Sequence, residues 1–368
     1  MRVSVTALEI AGQFAVRGEV ASMEALPGGH INRSFEVETR GPRGNSTYLL
    51  QRLNPAVFPD GAAVMDNIGA VTRFLERRLR ETPGTPWKTL TLVSTLDDRD
   101  WYRAPDGACW RMFVFLPRTQ VHLRCDAPDQ AREAARAFGA FIRLLADYDG
   151  PPLAETIPGF HDTAARFLAL EDAAARDPAR RAGDAAAELE ALAQRRGLAG
   201  VLPPLMMRGE IPRRIVHNDA KISNVLFDAA SGRAICVIDL DTVMPGSALH
   251  DFGDLVRSMV TGTEEDEPDR ARIRVRFDIF EALVEGFLAE AGGVLTAAER
   301  SHLVFGARLI TLEQAVRFLT DHLEGDRYYK VNREGQNLVR CRTQLGLLEE
   351  LEAAEGRLQA VVDQQGTG

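Results

Sequence analysis

Several things are scarce in this 368-residue chain, and each scarcity narrows the field. Its four cysteines, Cys109, Cys125, Cys236 and Cys341, are scattered without a C-x-x-C spacing. That pattern builds neither a disulfide framework nor a zinc site, and it fits free thiols in a reducing cytoplasm. Cys236 sits inside an apolar run and reads as a small core residue. No uncharged apolar run approaches the length of a membrane span, and residues 1–9 carry no long apolar stretch of the signal-peptide kind. Basic residues are in deficit: 44 Lys and Arg against 53 Asp and Glu leave a net charge of -9. A general nucleic-acid binder would show the opposite balance, so no nucleic-acid or membrane partner is expected. No internal repeat is visible.

What remains is ordinary globular composition, 45% hydrophobic and 26% charged, in a chain long enough for two domains or one large two-lobed one. The first hundred or so residues are strand-rich. Residues 16–24, 34–39 and 47–53 read as strands, with turn clusters at 26–32 and 41–46 between them. A helix follows over about 61–80, with Ala63, Ile68, Val71, Phe74 and Leu75 supplying much of its apolar content. Residues 89–96 and 109–116 read as the last strands, the second ending at Pro117 as a hinge. From Asp126 the character turns helical, beginning with a capping residue and an early proline. Residues 161–197 read as two exposed helices whose Arg pairs lie on a solvated face. Helices resume near 248–260, 270–291, 296–323 and 336–362. The acidic loop at 264–269 reads as solvated, and the 366–368 tail as disordered. The layout predicts an α+β fold in two lobes: residues 1–117 as a small antiparallel-sheet lobe, and 118–368 as a larger, mainly helical lobe.

The densest chemistry lies between residues 217 and 241. His217-Asn218-Asp219-Ala220-Lys221-Ile222-Ser223-Asn224 reads His-x-Asp-x4-Asn. Asp and Asn are common turn residues, so this spacing alone carries little. The flanks carry more. Residues 214–216 and 224–228 read as strands, a turn at 230–233 follows, and the apolar run 234–238 ends at Asp239. That order suits phosphoryl transfer, which asks a protein mainly for positioning and charge neutralisation. Asp219 is the expected catalytic base for an acceptor hydroxyl. Asn224 and Asp239 are expected to hold Mg2+, a hard cation suited to carboxylate, amide and phosphate oxygens. Asp241 is a second metal ligand or a loop-stabilising residue. His217 reads as structural, and Asp251 and Asp254 as helix-capping residues that buttress the metal loop.

On the nucleotide side, Gly28 and Gly29 permit close backbone approach to phosphates, with Asn32 closing the same turn. Phe115 joins them from the hinge strand. The third strand offers no Lys where a kinase pairs one with the phosphates. Gln51 and Arg52 occupy that stretch, and Arg52 can supply the charge, although a guanidinium fork differs from an ammonium point charge. Asp66 or Glu76 is its potential helix partner.

These residues resemble the aminoglycoside phosphotransferase and choline kinase superfamily, whose fold is protein-kinase-like and two-lobed. Residues 216–225 and 236–246, Leu50-Gln51-Arg52-Leu53-Asn54 on the third strand, and residues 317–328 are similar to the N-acetylhexosamine 1-kinase group. The resemblance implies an ATP-dependent, cytoplasmic sugar 1-kinase that phosphorylates the anomeric hydroxyl of GlcNAc or GalNAc. It places His30, Asn224, Arg317 and Tyr328 near sugar or phosphate. Read without it, Glu313, Arg317 and Asp321 fall at i, i+4 and i+8, an ordinary salt-bridged helix face. Ser258, after Arg257, stands where that group has a larger apolar residue, which leaves the sugar open. The alternatives are another hydroxyl acceptor (choline, homoserine or an aminoglycoside) or a non-catalytic nucleotide-binding protein.

Overall fold

The computed structural model describes residues 6–26, 32–42 and 44–365. Gly28, Gly29, His30 and the 366–368 tail lie outside them. In chain order the elements are α1 (Ala7–Ala11), β1 (Glu19–Ala25), β2 (Arg33–Gly41), β3 (Gly44–Arg52), α2 (Gly61–Arg80), β4 (Tyr102–Arg103), β5 (Cys109–Val114), β6 (Thr119–Gln120), α3 (Pro128–Leu144), α4 (Thr163–Arg176), α5 (Ala186–Ala193), α6 (Leu202–Met207), β7 (Arg214–Val216), β8 (Val225–Asp228), β9 (Ala234–Val237), β10 (Met244–Gly246), α7 (Ala248–Met259), α8 (Phe277–Ala291), α9 (Ala297–Ser301), α10 (Leu303–Leu323) and α11 (Gln336–Gln365). Five strands make one antiparallel sheet in the order β1-β2-β3-β5-β4. The rest is helical apart from two small sheets, β6-β8-β9 and β10-β7. This is the α+β architecture expected, antiparallel sheet first and helices after.

Alternation along β3 and β5 decides what faces the site. Tyr48 and Leu50 on β3, with Trp110 and Met112 on β5, bury one sheet face against Ile10 and Phe14. Leu49, Gln51, Arg111 and Phe113 therefore point to the other face, toward α2, because successive strand side chains alternate. Helix α2 is capped by Asp60, whose Oδ1 accepts from the Ala63 N–H at 3.1 Å. Its buried Val64, Met65, Ile68, Val71 and Leu75 form a helical stripe. That stripe joins Phe113, Phe138, Val216, Leu240 and Leu249 in one apolar cluster, so the sheet region and the helical region share a core. Helices α7 and α10 cross closely because Gly253 and Gly306 face each other's helix. A side chain on Gly306 would lie 2.7 Å from the Leu249 carbonyl.

Five expectations are corrected. Residues 89–96 are not a strand; they meet the sheet through an isolated bridge at Leu92–Phe113 and the residues after α1 through one at Thr95–Phe14, and Thr95 is spent on a tight turn with Asp97 and Arg99. Helix α3 is capped by Gln130, whose Oε1 accepts from the Asp126 and Ala127 N–H groups, and not by the Asp126 side chain. The 270–291 segment opens on a single 3-10 turn at Arg270–Arg272 and becomes α-helical only at Phe277, and 296–323 breaks at His302 into α9 and α10. The 161–197 helices are not free of the core, since Phe167, Leu170 and Leu192 pack with Leu312, Phe318 and Leu348.

Candidate active site

Two loops meet at the end of β7 and β9. The first leaves β7 through Asn218, which sits at a positive φ of 64°. Asp251, in the first turn of α7, grips this loop from below. Its two oxygens accept from the His217 N–H at 2.8 Å and the Asn218 N–H at 2.7 Å. His217 Nε2 donates to the Ile238 carbonyl at 2.9 Å, and Nδ1 accepts from the Asp219 N–H at 3.3 Å. Its ring meets Phe138 edge-on. His217 is thus a buried strut that ties the first loop to the second. Thr242 Oγ1 adds another tie by donating to the His217 carbonyl at 2.7 Å.

Asp219 is half-buried, and Lys221 Nζ lies 2.8 Å from its Oδ2. Asn224 Nδ2 donates to the Asp219 carbonyl at 2.9 Å and to Oδ2 at 3.0 Å. Burial would raise the Asp219 pKa, but Lys221 outweighs it, and with the Asn224 bond holds the carboxyl at about 2. Asp219 therefore stays ionised at any physiological pH. Because the Asn224 amide nitrogen is committed to Asp219, its Oδ1 is left to face elsewhere.

Asp239 opens the second loop in a left-handed turn, φ 61° and ψ 56°. Its side chain meets solvent, and no hydrogen-bond donor among the described residues reaches it. Desolvation by the surrounding protein, then the like charges of Asp241 and Asp219, raise it to about 6. Asp241 is the reverse: 4% exposed, ion-paired to Arg111 Nη1, and accepting from Asn32 Nδ2 at 2.6 Å. Of three clustered carboxylates, Asp219 has Lys221 and Asp241 has Arg111. Asp239 alone has no dedicated cation. Asp239 with the Asn224 Oδ1 fits a Mg2+ that completes its shell with phosphate oxygens and water, the usual habit of that ion. Asp241, with both oxygens engaged, fits the loop-stabilising alternative.

The acceptor side is built by α4, α10 and the segment after α10. Arg317 has no ion-pair partner among the described residues. It sits against the rings of Phe160, Tyr329 and Tyr328 at 5.1, 5.7 and 5.8 Å. Burial opposes its charge, but Tyr329, Glu313, Tyr328 and Asp219 all favour it, so its pKa is raised. The salt-bridged helix face read from the i, i+4, i+8 spacing does not form. Glu313 turns inward to His161 Nδ1 at 2.8 Å and Thr163 Oγ1 at 2.7 Å. Asp321 accepts from the backbone N–H groups of Arg327, Tyr328 and Tyr329, and so fixes the segment that carries Tyr328. His161 Nε2 also faces the Asn218 carbonyl at 3.1 Å. Two acceptors need two ring protons, so this histidine is charged. Burial works against that charge, but Glu313 outweighs it and raises the His161 pKa.

Beside Lys221 lies a cavity of about 170 Å3 lined in part by Ser223, Ser258, Thr261, Thr343 and Gln344. The buried Gln344 Oε1 has no hydrogen-bond partner among the described residues. The acidic loop borders the cavity through Glu264 and Glu265, and its carboxylates from 264 to 267 each meet an arginine. Glu264 pairs with Arg124, Glu265 with Arg257, Asp266 with Arg333 and Glu267 with Arg272.

A family model described as a phosphotransferase enzyme family matches residues 22–285, well over half of the chain. The chain belongs to this family. Among solved structures, it is similar to a microcompartment-associated aminopropanol kinase, with 16% identity and a TM-score of 0.59 over 96% of this chain and 98% of that one. It is similar to an aminoglycoside phosphotransferase from Alicyclobacillus acidocaldarius subsp. acidocaldarius DSM 446, with 12% identity and a TM-score of 0.62 over 99% and 98%. A spectinomycin phosphotransferase in complex with ADP and spectinomycin matches at 12% identity and a TM-score of 0.54 over 92% and 94%. At these identities the likeness establishes the kinase-like fold.

Within this phosphotransferase frame, the fold brings Asp219, Asn224, Asp239 and Asp241 together, with Asn32 against Asp241. The field of Asp219 reaches Arg317. Tyr328 stands at the exposed edge of the Arg317 cluster. Phe115 lies in the connection from β5 to β6, half-buried, its N–H donating to the Thr47 carbonyl at 3.0 Å. Arg52 is placed elsewhere. It pairs with Asp106 at 3.2 Å on the α1 side of the sheet, because one step along a strand reverses the face. Neither Asp66 nor Glu76 pairs with a strand cation; Glu76 pairs with Arg80 on the surface. The inward polar group of α2 is Asn67, whose Nδ2 donates to the Ala154 and Val243 carbonyls at 2.8 and 3.0 Å. Lys221 lay inside the motif and was passed over. Arg111 and His161 gave no local signal, since each meets its partner across more than 50 residues of chain.

Proposed function

We propose that this phosphotransferase is a cytoplasmic small-molecule kinase that moves the ATP γ-phosphoryl group to the anomeric hydroxyl of an N-acetylhexosamine or related sugar. The observation that carries the kinase reading is the unequal treatment of three carboxylates. Asp219 is kept ionised and oriented, Asp241 is neutralised, and Asp239 is left open beside the Asn224 amide oxygen. Residues 1–117 and 118–368 then act as two lobes with the nucleotide between them. Mg2+, when bound, neutralises phosphate charge; Asn224 and Asp239 are the residues that would hold it. Asp219 orients the attacking hydroxyl through a hydrogen bond. Held at about 2, it is a weak base, so it takes the proton late, as the new P–O bond forms. Arg317, with no carboxylate partner among the described residues, is available to meet a phosphate or sugar oxygen.

Two features support a neutral, hydroxyl-rich acceptor. The acidic loop has an arginine on each of its carboxylates from 264 to 267, which limits the negative charge it can offer to a cationic amine. The cavity beside Lys221 has hydroxyl residues and an amide, Ser223, Ser258, Thr261, Thr343 and Gln344, among its lining, alongside apolar side chains and charged ones in which Arg124 and Arg257 answer Glu264 and Glu265. An amino-alcohol or aminoglycoside acceptor is the second reading, favoured by what the similar structures are named for. ADP release from Mg–ATP, measured with GlcNAc, GalNAc, their 1-O-methyl glycosides, choline, homoserine and an aminoglycoside, separates the two. Turnover of a free hexosamine but not its methyl glycoside supports anomeric phosphorylation. Turnover of amines alone replaces it with the second reading, and silence together with no binding of Mg–ATP removes both.

A further inference from the structure

The third strand of the sheet carries no lysine, and Arg52 points away from the carboxylates. The sheet nonetheless delivers a cation to them. Arg111, on β5, is 1% exposed, the largest fully buried side chain among the described residues. It pairs in register with Gln51 of β3, and its Nε donates to Gln51 Oε1 at 3.0 Å. Gln51 Nε2 is itself held by Ser34 Oγ at 3.0 Å. Arg111 Nη1 ion-pairs with Asp241, two residues beyond Asp239. The other Asp241 oxygen takes the Asn32 amide N–H, and Asn32 Oδ1 accepts the Asn54 N–H at 3.1 Å. Strands β2, β3 and β5 are thereby fastened to the loop that presents Asp239.

Burying both an arginine and an aspartate costs several kcal/mol per ion, and apolar residues of similar volume would often stabilise a core better. A network of this kind is therefore a candidate for a role beyond stability. Without Arg111, one cation, Lys221, would face three carboxylates before any phosphate arrived. Resting on the kinase reading above, we propose that Arg111 is the fixed cation of the nucleotide site, a positioning residue that takes the place of the missing strand lysine. It neutralises Asp241 and holds the 239–242 turn so that Asp239 faces outward, and Asn32, anchored on the Asn54 N–H, fixes the other Asp241 oxygen. Its ligand is the Mg–nucleotide, which it serves through Asp241 and Asn32.

The test uses the full chain and Mg–ADP, by titration calorimetry across a Mg2+ series, with thermal melting of each variant as the control for folding. The variants are R52A, Q51L, R111K and the charge-neutral double variant R111M/D241N. We expect R52A to bind as wild type. We expect R111M/D241N to melt near wild type yet bind Mg–ADP about 10–100-fold more weakly with a raised Mg2+ requirement, the usual effect of losing an outer-shell partner. R111K is expected to recover little, because one ammonium cannot reach Gln51 and Asp241 together. A folded double variant with wild-type affinity and Mg2+ dependence would overturn the proposal. If the double variant fails to fold, Q51L decides, since it keeps both charges: weakened Mg–ADP binding at unchanged melting temperature supports the proposal, and unchanged binding overturns it. A tenfold loss in R52A also overturns it. Wild type that binds no Mg–ADP overturns the kinase reading first, and this one with it.

Discussion

The loops at 217–242 and the strands β3 and β5 manage charge in opposite ways. In the loops, functional groups lie close together in sequence, Asp219, Lys221, Asn224 and Asp239 within about twenty residues; Asn224 is buried, Asp219 and Lys221 are half-buried, and Asp239 meets solvent. In the strands, the polar groups are buried and joined across long separations, Arg111 to Gln51 over 60 residues and to Asp241 over 130. The loops thus hold the groups that ligand can touch, while the sheet supplies a cation that ligand reaches only through others. A charge kept open must be paired by ligand or metal, whereas a buried charge must be paired by the protein itself.

Breaking the open side should have the largest effect. Asp219→Asn is expected to lower kcat by about 10²–10⁴-fold with Mg–ATP affinity nearly unchanged, because the base acts on the acceptor and not on nucleotide. Steady-state kinetics beside nucleotide titration check this, and wild-type turnover in the variant would remove the base assignment.

Breaking the buried side should show in stability first. Asp241→Asn leaves Arg111 enclosed without a counter-charge and is expected to cost about 3–5 kcal/mol, read by denaturant unfolding. Asp239→Asn, at the open carboxylate, is expected to leave stability unchanged or raised, because it removes a charge that desolvation and then Asp241 and Asp219 oppose, and to weaken Mg–nucleotide binding instead. If the two variants exchange these phenotypes, the division between open and buried carboxylates fails.

A third contrast is sharpened by pH. Glu313 is held at about 2, below its ordinary 4.5: burial would raise it, but the His161 charge and hydrogen bonds outweigh that. Its contribution is present above 4.5 and is lost as pH falls toward 2. His161 is raised above 6.5, so its contribution is full below 6.5 and is lost as pH rises through its folded value. Stability from the pair is therefore greatest between about 4.5 and 6.5. Glu313→Gln is expected to lose about 1–3 kcal/mol in that window and to flatten the melting profile at both ends. An unchanged profile would mean that the pair does not hold the Asn218 carbonyl.

The smallest effect is expected at Arg52. Its pair with Asp106 is part-exposed on both sides, so Arg52→Ala should change stability by no more than about 1 kcal/mol.

Much of this was legible in the sequence because it depends on near neighbours. The α2 boundaries follow from an Asp cap and an apolar stripe of helical period. The strands around 214–237 follow from short apolar runs between turn residues, and the order Asp219, Asn224, Asp239 is written along one stretch. The failures have a common cause. Residues 89–96 have strand-like composition, yet whether they join the sheet depends on which partners the sheet offers. Glu313, Arg317 and Asp321 are spaced for one helix face, but a packed helix spends its charges on other elements, His161 for Glu313 and the 327–329 backbone for Asp321. Arg52 sits at the place a strand cation should occupy, but which face a strand residue uses is settled by register with its neighbours. Sequence by itself determined the strand-first, helix-after layout, the His-x-Asp-x4-Asn spacing and the span of α2, since each rests on local period and local spacing. Only the tertiary structure decided that Arg111 answers Asp241, that Arg317 stands without an acid among the described residues, and that Arg124 and Arg333 answer Glu264 and Asp266. Ion pairs between residues so far apart in the chain form where packing brings charges together, and nothing in local spacing encodes that meeting.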